Sequence, residues 1–323
     1  GGISGSHLRA YSQLSGVRLV AMCDVDKDKG QQIAQKYQAT FYDDYEKMLD
    51  REPEIDMVDI CSPDQFHCRQ IVRAAEHKKH ILCEKPIAIT IEELQKIESA
   101  VVNNNIYFMP AMVYRWQPEI RKIKDVIESA KIGKPVAVFF TSRGSFYPYP
   151  ETSFYRKRES GGQFVHNGVH FLDILTFLLN SIPTKVFTTS LSYYKDENRL
   201  ETPNYYLGSF LFSRNEIVKL EYNLLLSYLP MGSWEMVIVG NEGAIELDDL
   251  KDSSISYFSK DNFFCVNSFS YFSEAAFLSE IEHFVDCIRN NKAPSISLKE
   301  AIAVTRGCIL AVESAYTKKE YEI

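Results

Sequence analysis

In the first third of the chain, short apolar runs alternate with longer stretches whose apolar residues recur at helical spacing. This pattern predicts strands at residues 17–23, 56–61, 80–83 and 106–112, with a shorter one near 39–41. Helices are predicted between them at 27–37, 66–77 and 91–103. The runs Val17-Arg18-Leu19-Val20-Ala21-Met22-Cys23 and Met57-Val58-Asp59-Ile60-Cys61 are mostly apolar rather than alternating, as strands covered on both faces should be. Strand and helix in alternation imply a parallel sheet wound with helices.

From about Tyr114 the rhythm changes. A helix at 118–131 leads into long alternating strands at 185–194, 205–212, 216–226 and 234–239. Ser213-Arg214-Asn215 and Asn241-Glu242-Gly243 read as hairpin turns, so this sheet is largely antiparallel and the region is of α+β type. Helical patterns at 274–289 and 298–315 close the chain. The predicted class is α/β, with one domain over residues 1–113 and an α+β domain over 114–323.

Composition narrows the function classes. At 323 residues, 45% apolar and 24% charged, the chain has the balance of an ordinary two-domain globular protein. A net charge of −7 leaves no basic stripe for nucleic acid or an anionic membrane, and Arg156-Lys157-Arg158 beside Glu159 reads as a solvated turn. Seven scattered cysteines without a Cys-x-x-Cys spacing point to a reducing, cytoplasmic compartment. No apolar run approaches the ~20 residues that span a bilayer.

The chemistry begins at the first residue. Gly1-Gly2-Ile3-Ser4 opens onto a helical pattern and then a strand that ends in Asp24. Dinucleotide recognition needs such a glycine turn, with a helix N-terminus for the pyrophosphate and an acidic residue about 20 positions on for the ribose hydroxyls. Gly1, Gly2, Ile3, Ser4 and Asp24 are therefore candidate cofactor contacts of a Rossmann domain. Asp24 favours NAD over NADP, because its carboxylate would repel a 2′-phosphate. The fingerprint's preceding strand is missing from the chain, which predicts about 10 further residues upstream, one strand's worth. The competing reading of these glycines and serines is an expression scar.

Two further turns follow predicted strands: Ser62-Pro63 with His67 after the strand ending at Cys61, and Glu84-Lys85-Pro86 after the strand ending at Cys83. Ligands of open α/β sheets bind beyond the carboxyl ends of strands, so Ser62, Pro63, His67, Glu84 and Lys85 join the cofactor candidates. A third segment, Gly161-Gly162-Gln163-Phe164-Val165-His166-Asn167-Gly168-Val169-His170-Phe171-Leu172-Asp173, puts His166, His170 and Asp173 on one helical face.

With these segments the sequence resembles the Gfo/Idh/MocA family (glucose-fructose oxidoreductase, inositol dehydrogenase, rhizopine catabolism). The resemblance covers nearly the whole chain and includes Arg115-Trp116-Gln117-Pro118 and Glu313-Ser314-Ala315. It implies a second domain with an open, mostly antiparallel sheet that often mediates oligomer contacts, here a homodimer or homotetramer. It also implies a Lys85 beside the nicotinamide ribose and substrate oxygen, a cis bond before Pro86, and a His170 beside the substrate. His166 stands where many members carry aspartate.

A lysine partly buried near a cationic nicotinamide should have a lowered pKa, and imidazole titrates near neutrality without help. The expected catalytic residues are thus Lys85, His170 and His166, with His170 or His166 exchanging the proton and Lys85 polarising the oxygen and aiding the relay. Tyr114, Arg115, Tyr155, Asn167 and Asp173 are candidate substrate contacts, with Tyr147 and Tyr149 in the same aromatic loop as Tyr155. For Arg115 an ion-pair role competes with substrate contact. His166-x-x-x-His170 also has zinc-ligand spacing, but Asn167 stands where a hydrolase needs glutamate. The expected activity is NAD-dependent oxidation of a secondary alcohol on a sugar, inositol or polyol, or the reverse reduction. The alternative is a regulatory protein that binds the dinucleotide without turnover.

Overall fold

The computed structural model describes residues 2–144, 153–193, 200–225, 232–248, 255–259, 263–266 and 273–323. The chain divides into two compact units. The first comprises residues 1–88, 92–111 and 274–298; the second comprises 89–91, 112–273 and 299–323.

In chain order the first unit begins with α1 (Ser4–Tyr11), β1 (Ala21–Cys23), α2 (Lys27–Lys36), β2 (Thr40–Tyr42) and α3 (Tyr45–Arg51). It continues with β3 (Met57–Ile60), α4 (His67–Glu76), β4 (His80–Glu84), α5 (Ile91–Asn104) and β5 (Phe108–Ala111). The helices start where their caps dictate: the Asp26 and Asp44 carboxylates accept the Lys29 and Lys47 N–H groups at the N-termini of α2 and α3. β1 pairs with β2, while β3, β4 and β5 form a separate three-stranded sheet, all in parallel. β1 covers only the end of the predicted 17–23 run, where it pairs with the three residues of β2, and the Val20 carbonyl just before it accepts the Thr40 N–H at 2.9 Å. The short helix α3 was not predicted.

The second unit holds α6 (Pro118–Glu128), β6 (Pro135–Arg143), α7 (Gly162–Leu179), β7 (Pro183–Leu191), β8 (Tyr205–Phe212) and β9 (Ile217–Asn223). After these come β10 (Ser233–Gly240), β11 (Gly243–Asp248), β12 (Ile255–Ser259) and β13 (Phe263–Val266). The chain closes with α8 (Glu274–Arg289), α9 (Leu298–Thr317) and β14 (Tyr321–Glu322). Among the described residues, nine strands form one sheet in the order β13-β12-β11-β10-β6-β9-β8-β7-β14. Every pairing is antiparallel except β6 with β9, where Phe140 lies opposite Leu220. This is the open, mostly antiparallel sheet expected, although β6 at its centre and β11–β14 were not among the strands predicted.

The compact units differ from the expected division at 113/114 chiefly in one segment. Residues 274–298 fall in the first unit, not the second, because α8 packs along α1. Arg289 secures that packing by donating to the Ser15 carbonyl at 2.5 Å.

The second unit's core is α7 laid on the sheet. Fifteen of its 18 residues are buried, so every polar side chain it carries needs a partner. Phe171 meets Phe140, Trp234 and Tyr222 with ring centroids 5.2, 5.5 and 5.9 Å away, and Phe164 meets Tyr206 at 4.9 Å. The helix starts on glycine for a steric reason: at Gly162 φ is +68° and an added Cβ would lie 2.6 Å from Thr202 Oγ1. Its C-terminus ends in left-handed Asn180, and Lys124 Nζ donates to the Phe177 carbonyl at 2.7 Å. Among the described residues, no helix is long and apolar enough to cross a membrane.

Candidate active site

The first unit gathers the cofactor candidates at strand ends. Gly1 lies outside the described residues. Gly2 is exposed and lies just ahead of α1. Ile3 caps α1, and Ser4 opens it. Asp24 directly follows β1, and its Oδ1 accepts the Asp26 N–H at 3.0 Å. Ser62 follows β3 and donates its hydroxyl to Gln70 Oε1 at 2.6 Å, which ties the turn to α4. Exposed Pro63 leads into a single 310 turn. Backbone N–H groups at the start of α1, an accepting carboxylate after β1 and turns after β3 and β4 form a set of polar groups suited to a dinucleotide.

Two cofactor candidates have their side chains engaged within the unit. His67 is fully buried, with each ring nitrogen 2.7 Å from a carbonyl oxygen, Nε2 from that of Ser62 and Nδ1 from that of Pro86. It clamps the two turns to each other, and neither of its nitrogens points away toward a ligand. Glu84 is likewise turned inward, 7% exposed, because both its oxygens are engaged within the unit. Its Oε2 accepts the Lys85 backbone N–H at 3.1 Å, and its Oε1 lies 3.2 Å from His7 Nε2.

Lys85 itself is half-buried, and the Lys85–Pro86 bond is cis, as the resemblance implied. Burial pulls the Lys85 pKa below the ordinary lysine value, against the opposing pull of the Glu84 and Asp64 carboxylates.

His7 is the residue that sequence reasoning missed. It sits on α1, 1% exposed, with Nδ1 2.8 Å from Asp59 Oδ2. A signal was present: Asp59 interrupts an otherwise apolar strand, and a buried carboxylate requires a cation or several donors.

The second unit gathers the remaining candidates around α7. His170 is buried, with its ring 4.4 Å from that of Tyr114. Tyr114 also packs edge-on against Trp234 at 4.8 Å. One turn earlier, half-buried His166 meets the Tyr155 ring at 4.6 Å. Asn167 donates to Gln163 Oε1 at 3.0 Å and to the Tyr222 hydroxyl at 3.3 Å. Tyr147 and Tyr149 lie outside the described residues.

Arg115 and Asp173, expected as substrate contacts, are spent on each other. Arg115 Nε and Nη2 each donate to one Asp173 oxygen at 2.7 Å, and the two residues are 3% and 1% exposed. Glu300 adds a weaker contact at 3.4 Å. Burial works against the Arg115 charge, but the Asp173 and Glu300 carboxylates outweigh it and raise the guanidinium pKa above its usual value. The bidentate pair is a fixed strut between α7 and the turn at Val113–Trp116.

Comparison with known proteins gives this arrangement a family. The description "Oxidoreductase family, NAD-binding Rossmann fold" matches residues 1–111, and "Oxidoreductase family, C-terminal alpha/beta domain" matches residues 124–323. The chain belongs to the Gfo/Idh/MocA oxidoreductase family.

Among curated relatives, the uncharacterized oxidoreductase YrbE of Bacillus subtilis is 31% identical over 188 residues, 58% of this chain and 54% of that protein. The scyllo-inositol 2-dehydrogenase (NAD(+)) of the same organism is 26% identical over 95% of this chain and 92% of its own length. In the first three relatives compared the chain spans only 54%, 66% and 65% of their length. The fold matches that of levoglucosan dehydrogenase in complex with NADH and levoglucosan, with a TM-score of 0.88 at 20% identity over 100% and 97% of the two chains.

Proposed function

We propose that the protein is an NAD-dependent dehydrogenase or reductase acting on a secondary alcohol or ketone of a sugar, inositol or related polyol. The observation that carries this reading is Lys85. It lies directly after β4, and burial favours its neutral amine at lower pH than an ordinary lysine allows. The family match and the names of the dehydrogenase relatives support the substrate class.

When bound, the nicotinamide supplies the hydride acceptor or donor. Gly2, Ile3 and Ser4 would hold the pyrophosphate at α1, and Asp24 the adenosine ribose. In the oxidation direction the carbinol oxygen gives up a proton, and Lys85 Nζ and the His170 ring are the groups proposed to take it. His166, on the same face of α7, is a second candidate acceptor, and Tyr114, Tyr155 and Asn167 are the side chains proposed to contact substrate. Because neutral Lys85 is the accepting form, oxidation should rise with pH as its ammonium is titrated.

A small-molecule substrate, a cytoplasmic location and self-association complete the reading, with no nucleic-acid or membrane partner. Self-association is supported by the sheet face turned away from α7, where Val136, Phe139, Phe187, Leu191 and Ile217 are 41–59% exposed.

The direct test follows reduced-nicotinamide absorbance while sugars, polyols and their ketones are screened with NAD and NADP. Turnover is expected with NAD on at least one polyol or sugar. Tight dinucleotide binding without turnover across the panel would instead favour a regulatory protein.

A further inference from the structure

Behind Lys85 lies a buried cluster that the proton transfer does not itself use. α1 places the His7 ring between two carboxylates, with Nδ1 2.8 Å from Asp59 Oδ2 and Nε2 3.2 Å from Glu84 Oε1. A neutral imidazole has one N–H and one lone pair, so it would point that lone pair at a carboxylate. Only the doubly protonated ring donates at both ends, and at 1% exposure no solvent relieves the mismatch.

Further buried groups surround the ring. Cys61 Sγ lies 3.6 Å from Nδ1 and donates to Asp59 Oδ1 at 3.5 Å. Burial and Asp59 push that thiol up to about 12, so it stays protonated. Tyr11, one turn further along α1, is buried, and its phenol is raised first by burial and then by the Asp59 carboxylate. From α8, the Phe277 ring covers His7 at 5.8 Å, and Glu280 adds another buried acid nearby. Burial lowers the His7 pKa, yet the Asp59 carboxylate outweighs that effect and carries it well above the usual histidine value.

Glu84 connects this cluster to the site. Its Oε1 faces His7 while its Oε2 accepts the Lys85 backbone N–H. Its charge is also the largest electrostatic influence favouring the Lys85 ammonium. A cation bound to that carboxylate offsets the field it presents.

We propose that His7, braced by Asp59, is a positioning residue for Lys85: it fixes the Glu84 carboxylate on the Lys85 backbone and limits the negative charge that Glu84 presents to the Lys85 amine. The proposal rests on the reading of Lys85 as a proton carrier, but the coupling itself can be measured without turnover.

The experiment is a pH titration of the reductively 13C-methylated protein by NMR, with the Lys85 signal identified by its absence in Lys85→Arg. Replacing His7 with Gln should raise the Lys85 midpoint by about 1 pH unit, and Glu84→Gln should lower it by about as much. The double variant should return close to wild type. NADH fluorescence titration of the same samples reports whether the loop is intact. A folded His7→Gln protein whose Lys85 midpoint stays put or falls overturns the proposal, since a purely structural histidine would alter stability and leave that midpoint alone. If His7→Gln does not fold, Asp59→Asn carries the test. It withdraws the charge that keeps His7 protonated, so Lys85 should again move upward, and no movement overturns the proposal. Coupling found in a protein whose Lys85→Met variant still turns over upholds the His7 assignment and removes only the catalytic reading.

Discussion

The two units solve the same problem, a buried carboxylate close to candidate chemistry, with different cations. In the second unit Asp173 is gripped by the Arg115 guanidinium through two 2.7 Å hydrogen bonds. In the first unit Asp59 and Glu84 share the His7 imidazole at 2.8 and 3.2 Å. A guanidinium is charged at every pH a protein survives and matches a carboxylate rigidly. An imidazole can lose its proton and pass the change to whatever its partners touch. The Arg115–Asp173 pair therefore suits a strut that holds α7, with His166 and His170 on it. The His7 cluster suits a turn whose lysine must exchange protons.

The comparison is broken most forcefully on the Arg115 side. Arg115→Met or Asp173→Ala leaves one buried charge without its partner and should cost about 3–5 kcal/mol of stability in urea unfolding. Pairing Arg115→Met with Asp173→Leu should recover much of that loss. A single variant as stable as wild type would mean that the pair does not brace α7.

The His7 side predicts a smaller, pH-dependent effect. Because the native pKa of His7 is raised, its stabilising contribution is complete below the unfolded histidine value near 6.5. That contribution is lost as pH rises through the higher native value. The stability gap between wild type and His7→Gln, measured by chemical denaturation, should therefore be largest at mildly acidic pH and shrink toward alkaline pH. The Arg115 guanidinium offers no such titration, and a His7→Gln gap that did not change with pH would erase the distinction between the cations.

Much of this architecture was legible in the sequence because periodicity reports burial. The β8 strand and the α8 helix fall at the predicted residues, and the turn at Ser213-Arg214-Asn215 joins β8 to β9 as read. What the sequence concealed was partnership. Nothing in the spacing of Arg115 and Asp173 showed that they would neutralise each other across 58 residues. Nor did it show that His67 would be used up between two backbone carbonyls. The placement of α8 in the first unit depends on its packing along α1, more than 260 residues earlier in the chain, and no local pattern encodes it. His7 was hidden for a related reason. A histidine in a short amphipathic helix looks ordinary until the carboxylates of β3 and β4 are brought beside it.

The central claim, that Lys85 carries the proton of a nicotinamide-linked reaction, is tested most directly by Lys85→Met. This variant keeps the length and the apolar stem of the side chain but removes the amine. On a substrate identified by the absorbance screen, kcat should fall by about 10²–10⁴-fold. NADH binding, followed by fluorescence, should remain within a few-fold of wild type. A variant that binds NADH and turns over at a near-wild-type rate would contradict the account.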